Sequence, residues 1–222
     1  MKLVHINLNE GILVDAINCT EWVIESPEYF SEYVMELAGQ VEGKEGRFIL
    51  SDNEKEADIS KNVELIFNIF ALDINERKLI SKLYMELEKL TADERFYVKT
   101  QEMKQYLQEY LLQLEQETDY ILDLADEIDF ASLFKAFGIK YEVLEENFLE
   151  RLVRYMRIVE RLLKKKFFVF VNLRSYLSNQ QIDELIKEAT YQEIQLLLIE
   201  TCARDCIEGV TRYIIDKDGC EI

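Results

Sequence analysis

The sequence predicts a helix-rich α/β fold with a mostly parallel sheet and a helical insertion, and three observations carry that reading. Only seven glycines and one proline occur in 222 residues, too few for the many turns of an all-β chain. Apolar runs of strand length alternate with helical periodicities in the first and last thirds, the pattern of strands joined by crossover helices. The middle third keeps helical spacing with neither glycine nor proline between Gly46 and Gly138.

In chain order, Val4–Leu8, Ile12–Val14 and Glu21–Ile24 have strand length. Ser26-Pro27 then supplies a helix cap with proline at the first helical position, opening a helix to Gly39 with Phe30, Tyr33, Val34, Leu37 and Ala38 at helical spacing. A turn at Gly43–Gly46 leads into a strand, Arg47–Leu50. The run Val63–Phe70 fits a strand or a buried helix equally well. Leu79, Ile80, Leu83, Tyr84, Leu87 and Leu90 form one helical face, Thr91–Asp93 breaks it, and Phe96 through Leu114 continue as a long polar helix. This amphipathic arm suits a helix–helix dimer contact or packing within the chain. A short helix Phe130–Phe137 is stopped by Gly138, and Ile139–Val143 alternates like a strand. A helix to about Leu163, a nearly all-apolar strand Phe167–Leu173, a helix Gln180–Ala189 and strands at Gln195–Ile199 and Arg212–Ile215 complete the pattern.

Forty-four acids against 26 bases give a formal charge of −18, so the average surface repels nucleic acid and anionic membranes. Screening over roughly 10 Å at physiological salt lets a local basic patch act independently of distant acids. A single histidine, His5, removes histidine-based triads and multi-imidazole zinc sites, and its place in an apolar run marks it as a strand histidine. Cys19, Cys202, Cys206 and Cys220 form no CxxC pair, which suits reduced thiols. Charged residues interrupt every apolar run before membrane-spanning length. The expectation is a soluble cytoplasmic protein.

A phosphate-binding loop needs GxxxxGK[ST], whose glycine amides wrap the phosphates and whose lysine reaches the terminal oxygens; the sequence holds no such string. Asn172 ends the apolar strand where a nucleotide hydrolase would place an aspartate for magnesium. An NTPase-like core here is expected to be a scaffold without hydrolysis.

Two opposed charge clusters stand out. Residues 109–129 contain eight acids and no base; Asp119, Asp123, Asp126 and Glu127 lie at or next to helical three-to-four spacing, so two or three carboxylates have the chance to converge on a hard cation such as Ca²⁺. A solvated acidic face is the plainer alternative, and no EF-hand pattern is present. Residues 151–166 contain seven bases and one acid. At ~100° per residue, Arg151, Arg154, Arg157 and Arg161 fall within roughly 120° of arc, opposite Leu152, Tyr155, Met156 and Val159. With Lys164, Lys165 and Lys166 they suit a run of phosphates, but equally ion pairs to acidic segments, and residue chemistry alone favours the ion pairs.

Leu133-Phe134-Lys135-Ala136-Phe137-Gly138-Ile139-Lys140, then Lys164-Lys165-Lys166 running into Phe167–Asn172 and Tyr176-Leu177, resemble the Csn-two family of type II-A CRISPR-associated proteins. Leu72–Asn75, Leu198-Ile199-Glu200 and Tyr213–Asp216 fall in the same order, so the resemblance spans nearly the whole chain. It implies an NTPase-like α/β head (residues 1–72 and 139–222) that has lost nucleotide chemistry, and a helical leg (73–138). It further implies a homotetrameric ring that binds double-stranded DNA ends through a basic hole, is held by calcium, and supports spacer acquisition with the integrase complex and effector nuclease. No membrane partner is implied. By position, Asp123, Asp126 and Glu127 inherit the calcium role, with Asp119 added from the spacing. Lys135, Lys140, Arg151, Arg154, Arg157, Lys164, Lys165 and Lys166 are the DNA-binding candidates. Ala125 replaces an acid common in the family, Gly11 stands in place of a frequent proline, and the usual aromatic close after the last strand is missing. The competing readings are an acidic calcium-dependent protein-interaction module without DNA contact and a degenerate nucleotide-binding protein.

Overall fold

The computed structural model describes residues 1–14, 18–123, 125 and 127–222. The described chain forms two compact units, Met1–Asp73 with Leu144–Ile222, and Ile74–Val143.

The first unit begins with β1 (Lys2–His5), β2 (Cys19–Ile24), α1 (Pro27–Val41), β3 (Phe48–Asp52), β4 (Lys55–Ala57), α2 (Ile59–Asn62) and β5 (Val63–Ile66). Ser26 caps α1 by accepting from the Tyr29 amide, and Pro27 opens it, as the sequence predicts. Val63–Phe70 resolves into β5 and a 3-10 turn, Ile69–Ala71. The segment Ile12–Val14 is not a strand; its pairing is a single bridge from Leu3 to Leu13. Neither β4, whose three residues carry two charges, nor the one-turn α2 is legible in the residue pattern.

The second unit holds α3 (Arg77–Thr91), α4 (Glu94–Gln116) and α5 (Phe130–Ala136). Asp93 caps α4, and Asp129 caps α5 by accepting from the Ser132 amide. Gly138 closes α5 with φ of 65°, a left-handed conformation that glycine adopts without steric cost. Ile139–Val143 is not the strand its alternation suggests. Its polar main chain is taken up by side chains from α3 and the residues before it: Tyr84 donates its hydroxyl to the Ile139 carbonyl at 2.9 Å. Asn75 both donates to and accepts from the Tyr141 main chain, at 3.0 and 2.8 Å. These bonds keep residues 139–143 with the helical unit.

The chain then returns to the first unit through α6 (Phe148–Leu163), β6 (Phe167–Val171), α7 (Asn179–Tyr191), β7 (Gln195–Glu200) and β8 (Thr211–Ile215). β2, β5, β6, β7 and β8 make a parallel sheet in the order β5-β6-β7-β2-β8, while β1, β3 and β4 form a separate antiparallel sheet. The helix-rich α/β fold is therefore as read, with a second small sheet added.

Alternation along the strands sends residues to both faces. Trp22, Ile24, Phe167, Val169, Leu197 and Ile199 pack with Tyr33, Val34 and Leu37 of α1 and with Phe48 and Leu50 of β3. The opposite face receives Phe168, Phe170, Leu196 and Leu198, all fully buried, beside the apolar stripes of α6 and α7.

His5 sits at the end of β1 against Tyr33 and Phe48. Asn7 donates its amide to Nδ1 at 3.2 Å, which leaves Nε2 to donate to Glu36 at 3.3 Å. Burial holds this imidazole below its ordinary pKa of 6.5, and bonds from Arg47 hold Glu36 down to about 2. Both groups bind fewer protons folded than unfolded, so both contribute stability that disappears on acidification. His5 acts as pH falls below 6.5; Glu36 acts as pH falls from 4.5 towards about 2. Glu36→Gln should cost about 2 kcal/mol at pH 7 in urea unfolding and flatten the remaining loss of stability below pH ~4.5.

Candidate nucleic-acid interface

The basic stripe is built on α6, which Asn147 starts with a capping box: Asn147 accepts from the Glu150 amide while Glu150 accepts from the Asn147 amide. Leu152, Tyr155, Met156, Ile158 and Val159 are buried, and Arg151, Arg157 and Arg161 are exposed. α6 ends at Lys164 in a left-handed conformation, φ 59°, with its amide bonded to the Glu160 carbonyl at 2.8 Å. That cap reverses the chain into β6 and turns the next residue inward.

Lys165 consequently departs from the stripe. It is 5% exposed; its ammonium donates to the Val63 carbonyl and to Glu64 at 2.8 Å, and Tyr155 donates its hydroxyl to the same carboxylate at 2.9 Å. The lysine ties the end of α6 to edge strand β5 and has no face towards solvent. Lys166, half-exposed, pairs with Glu193 at 3.0 Å. Arg154 pairs with Glu146 at 3.2 Å, largely shielded, whereas Arg157 and Glu188 stand 3.8 Å apart and well exposed. Such an exposed contact contributes about 0–1 kcal/mol and leaves the guanidinium able to exchange partners. Arg154 and Arg157 also line an open groove of about 650 Å³ between α6 and α7, with Lys187 and the acids Glu146, Glu150, Glu184 and Glu188. Lys164 is exposed, as are Lys135 in the last turn of α5 and Lys140 just beyond Gly138, both in the helical unit.

Asp119, Asp123 and Glu127 are exposed, and Asp126 lies outside the described residues. Among the described residues, no three histidine, cysteine or carboxylate side chains gather to hold a metal ion. A calcium cage is thus not formed by the described carboxylates of one chain.

At the strand end where a hydrolase would hold magnesium, Asn172 adopts φ of 58° and donates its amide to the Ile199 carbonyl at 2.8 Å. Two residues, Glu25 and Ser26, separate β2 from α1, a connection too short to wrap a phosphate. All four cysteines are free; burial pushes the Cys19 thiol up to about 12, which leaves it unreactive.

The family model for CRISPR-associated protein (Cas_Csn2) matches residues 40–219. The chain belongs to the Csn2 family. Csn2 of Streptococcus agalactiae is 24% identical over 222 residues, covering 96% of both chains. Csn2 of Enterococcus faecalis is 22% identical over 192 residues, covering 84% of this chain and 83% of the other.

Within this Csn2-family chain, sequence reasoning missed a buried polar cluster. Glu21 in β2 is 1% exposed and holds Arg174 and Arg212 on its two oxygens. Glu200, ending β7, accepts from the Arg174 amide at 2.9 Å; burial, and then the neighbouring Glu21, raise its pKa to about 7. The signal in the sequence was a single carboxylate in each of two largely apolar strands, CTEWVI and QLLLIE.

The three adjacent lysines therefore differ in kind. Lys165→Ala should cost about 3 kcal/mol in urea unfolding by stranding Glu64 in a shielded site. Lys164→Gly should be neutral or stabilising by ~0.5 kcal/mol, because the position already has positive φ.

Proposed function

We propose that this chain is a non-catalytic protein that binds double-stranded DNA without sequence preference, at or near its ends, and supports CRISPR spacer acquisition in the cytoplasm. The observation that carries the reading is the concentration of accessible bases on one helix of an acidic, Csn2-family chain. Arg151, Arg157 and Lys164 lie on or at the end of α6, exposed, in a protein of formal charge −18. Arg154 and Lys166 adjoin them and would exchange their carboxylates for phosphates, while Lys135 and Lys140 present further bases on the helical unit. Lys165 acts through the fold. The two-residue β2–α1 connection and Asn172 support the absence of nucleotide hydrolysis.

A homotetrameric ring is part of the proposal. It is supported by α4, which has one buried residue, Thr100, and carries exposed Phe96, Tyr97, Val98, Tyr106, Tyr110 and Leu111; so much apolar surface on one helix is expected to be covered by other copies. The integrase complex and effector nuclease are the proposed partners through family membership. Among the described residues, no helix is long and apolar enough to cross a membrane. Calcium enters through the spacing of the acids and the family resemblance, and no step depends on it, since the described carboxylates do not converge. The pairing of Arg154, Arg157 and Lys166 with carboxylates favours a second reading, a protein-interaction module that does not touch DNA.

Titrating linear duplex at several salt concentrations separates the two readings. Each phosphate contact should add about 0.9 to the negative slope of log affinity against log salt. Lys164→Gly and Arg151→Gln, which spare the fold, should each lower that slope by up to about 1. Failure of the unmodified protein to shift linear duplex at low salt would favour the protein-only module; salt-independent binding, or slopes unchanged in both variants, would remove α6 from the interface.

For calcium, the expected result is a higher melting temperature and larger mass with the ion than with chelator, lost in Asp123→Ala with Asp126→Ala. A hundredfold excess over the dissociation constant would stabilise by about 2.7 kcal/mol. Identical melting and mass under both conditions would leave the acids as a solvated face.

A further inference from the structure

Residues 201–210 join the carboxyl end of β7 to the start of β8, which runs parallel to its neighbour β2. Parallel strands are usually joined by a crossover helix that covers the sheet. Here the crossover is ten residues without a helix, nearly all exposed, and the apolar cover a helix would supply is replaced by charge. Glu21 is the anchor. Arg174 bonds Glu21 and reaches on to the Asp205 carbonyl at 2.8 Å. Arg212 bonds Glu21 from β8 and reaches the Arg204 carbonyl at 2.7 Å. Arg204 itself bonds the Ser175 hydroxyl at 3.1 Å. The segment is held across the sheet by two guanidiniums bonded to its backbone, and both share the Glu21 carboxylate.

Glu200 lies at the root of the segment, 1% exposed. It is faced by the Arg174 amide and guanidinium from the turn after β6, by Glu21 from β2, and by Arg204 from the segment; Arg212 approaches from β8 through Glu21. Ionised, it becomes a second buried carboxylate beside Glu21, competing for Arg174. The segment begins at the residue after Glu200 and has little apolar contact to lose, so lifting it is the least costly way to bring water to that charge.

We propose that residues 201–210 form a pH-sensitive strap, closed while Glu200 is protonated and released when Glu200 ionises. The sign follows from linkage. A carboxyl held at about 7 when closed and returning to about 4.5 when hydrated favours the closed state at low pH and the open state as pH rises. Between pH 6 and pH 8 the opening constant should rise roughly tenfold, then level off.

Hydrogen exchange at the Arg174 and Val210 amides, corrected for intrinsic rates, tests this in the full chain. The Arg174 amide is bonded to Glu200 and the Val210 amide to the Ile207 carbonyl within the strap. Protection of both should fall about tenfold from pH 6 to pH 8, with amides of α1 unchanged. Glu200→Gln should abolish the pH dependence, and Glu21→Gln should lower protection at every pH. If Glu200 instead ionises inside a closed strap, its bond to the Arg174 amide strengthens and protection there rises, which overturns the proposal. So does a pH dependence that persists in Glu200→Gln. Should that variant not fold, the carboxyl carbon shift of Glu200 in the unmodified protein decides, and a midpoint near the ordinary value for glutamate sinks the idea.

Discussion

Strands that run parallel cannot be joined by hairpins, so the sheet β5-β6-β7-β2-β8 needs crossovers, and a crossover that carries a helix covers a face of the sheet. That requirement organises the first unit. Phe167 to Val171 and Leu196 to Ile199 are almost wholly apolar because both faces are covered, by α1 and the small sheet on one side and by α6 and α7 on the other. The amphipathic period of α6 follows from the same demand: one stripe must meet the sheet, which leaves the arginines on the other.

Where cover is thin, buried ion pairs take its place. Lys165 and Glu64 fasten the end of α6 to the edge strand β5, and Glu21 with Arg174 and Arg212 fastens the helix-free crossover before β8. Such pairs add little net stability over apolar packing of equal volume, but breaking one leaves a stranded charge. They therefore fix position more than they stabilise, and they divide the basic residues into those that build the fold and those free to meet a polyanion.

The long-range charge of the chain works against DNA, and the short-range arrangement decides whether a phosphate can be met. Over distances beyond a Debye length the −18 is screened; within it, Arg157 faces an exposed glutamate at 3.8 Å, a partner that a phosphate can displace. The groove between α6 and α7 mixes both signs, so any polyanion on this face must compete with the chain's own carboxylates.

The sequence by itself determined what is set locally or by period. The Ser26-Pro27 start of α1, the Thr91–Asp93 break between α3 and α4, the stop at Gly138 and the apolar strand at Phe167 are all legible, because caps, φ preferences and hydrophobic spacing act over a few residues. The basic stripe of α6 was legible for the same reason. Only the tertiary structure decided which bases remained accessible. Lys164, Lys165 and Lys166 are identical in sequence; a left-handed cap turns the second into the core, where a glutamate about a hundred residues away in the chain receives it. Ile139–Val143 alternates like a strand, yet no sheet edge receives it, and Asn75 and Tyr84 take its polar main chain instead. The cluster around Glu21 joins four strands or turns that no local rule connects, since the burial of a charge depends on partners that only the folded chain brings together.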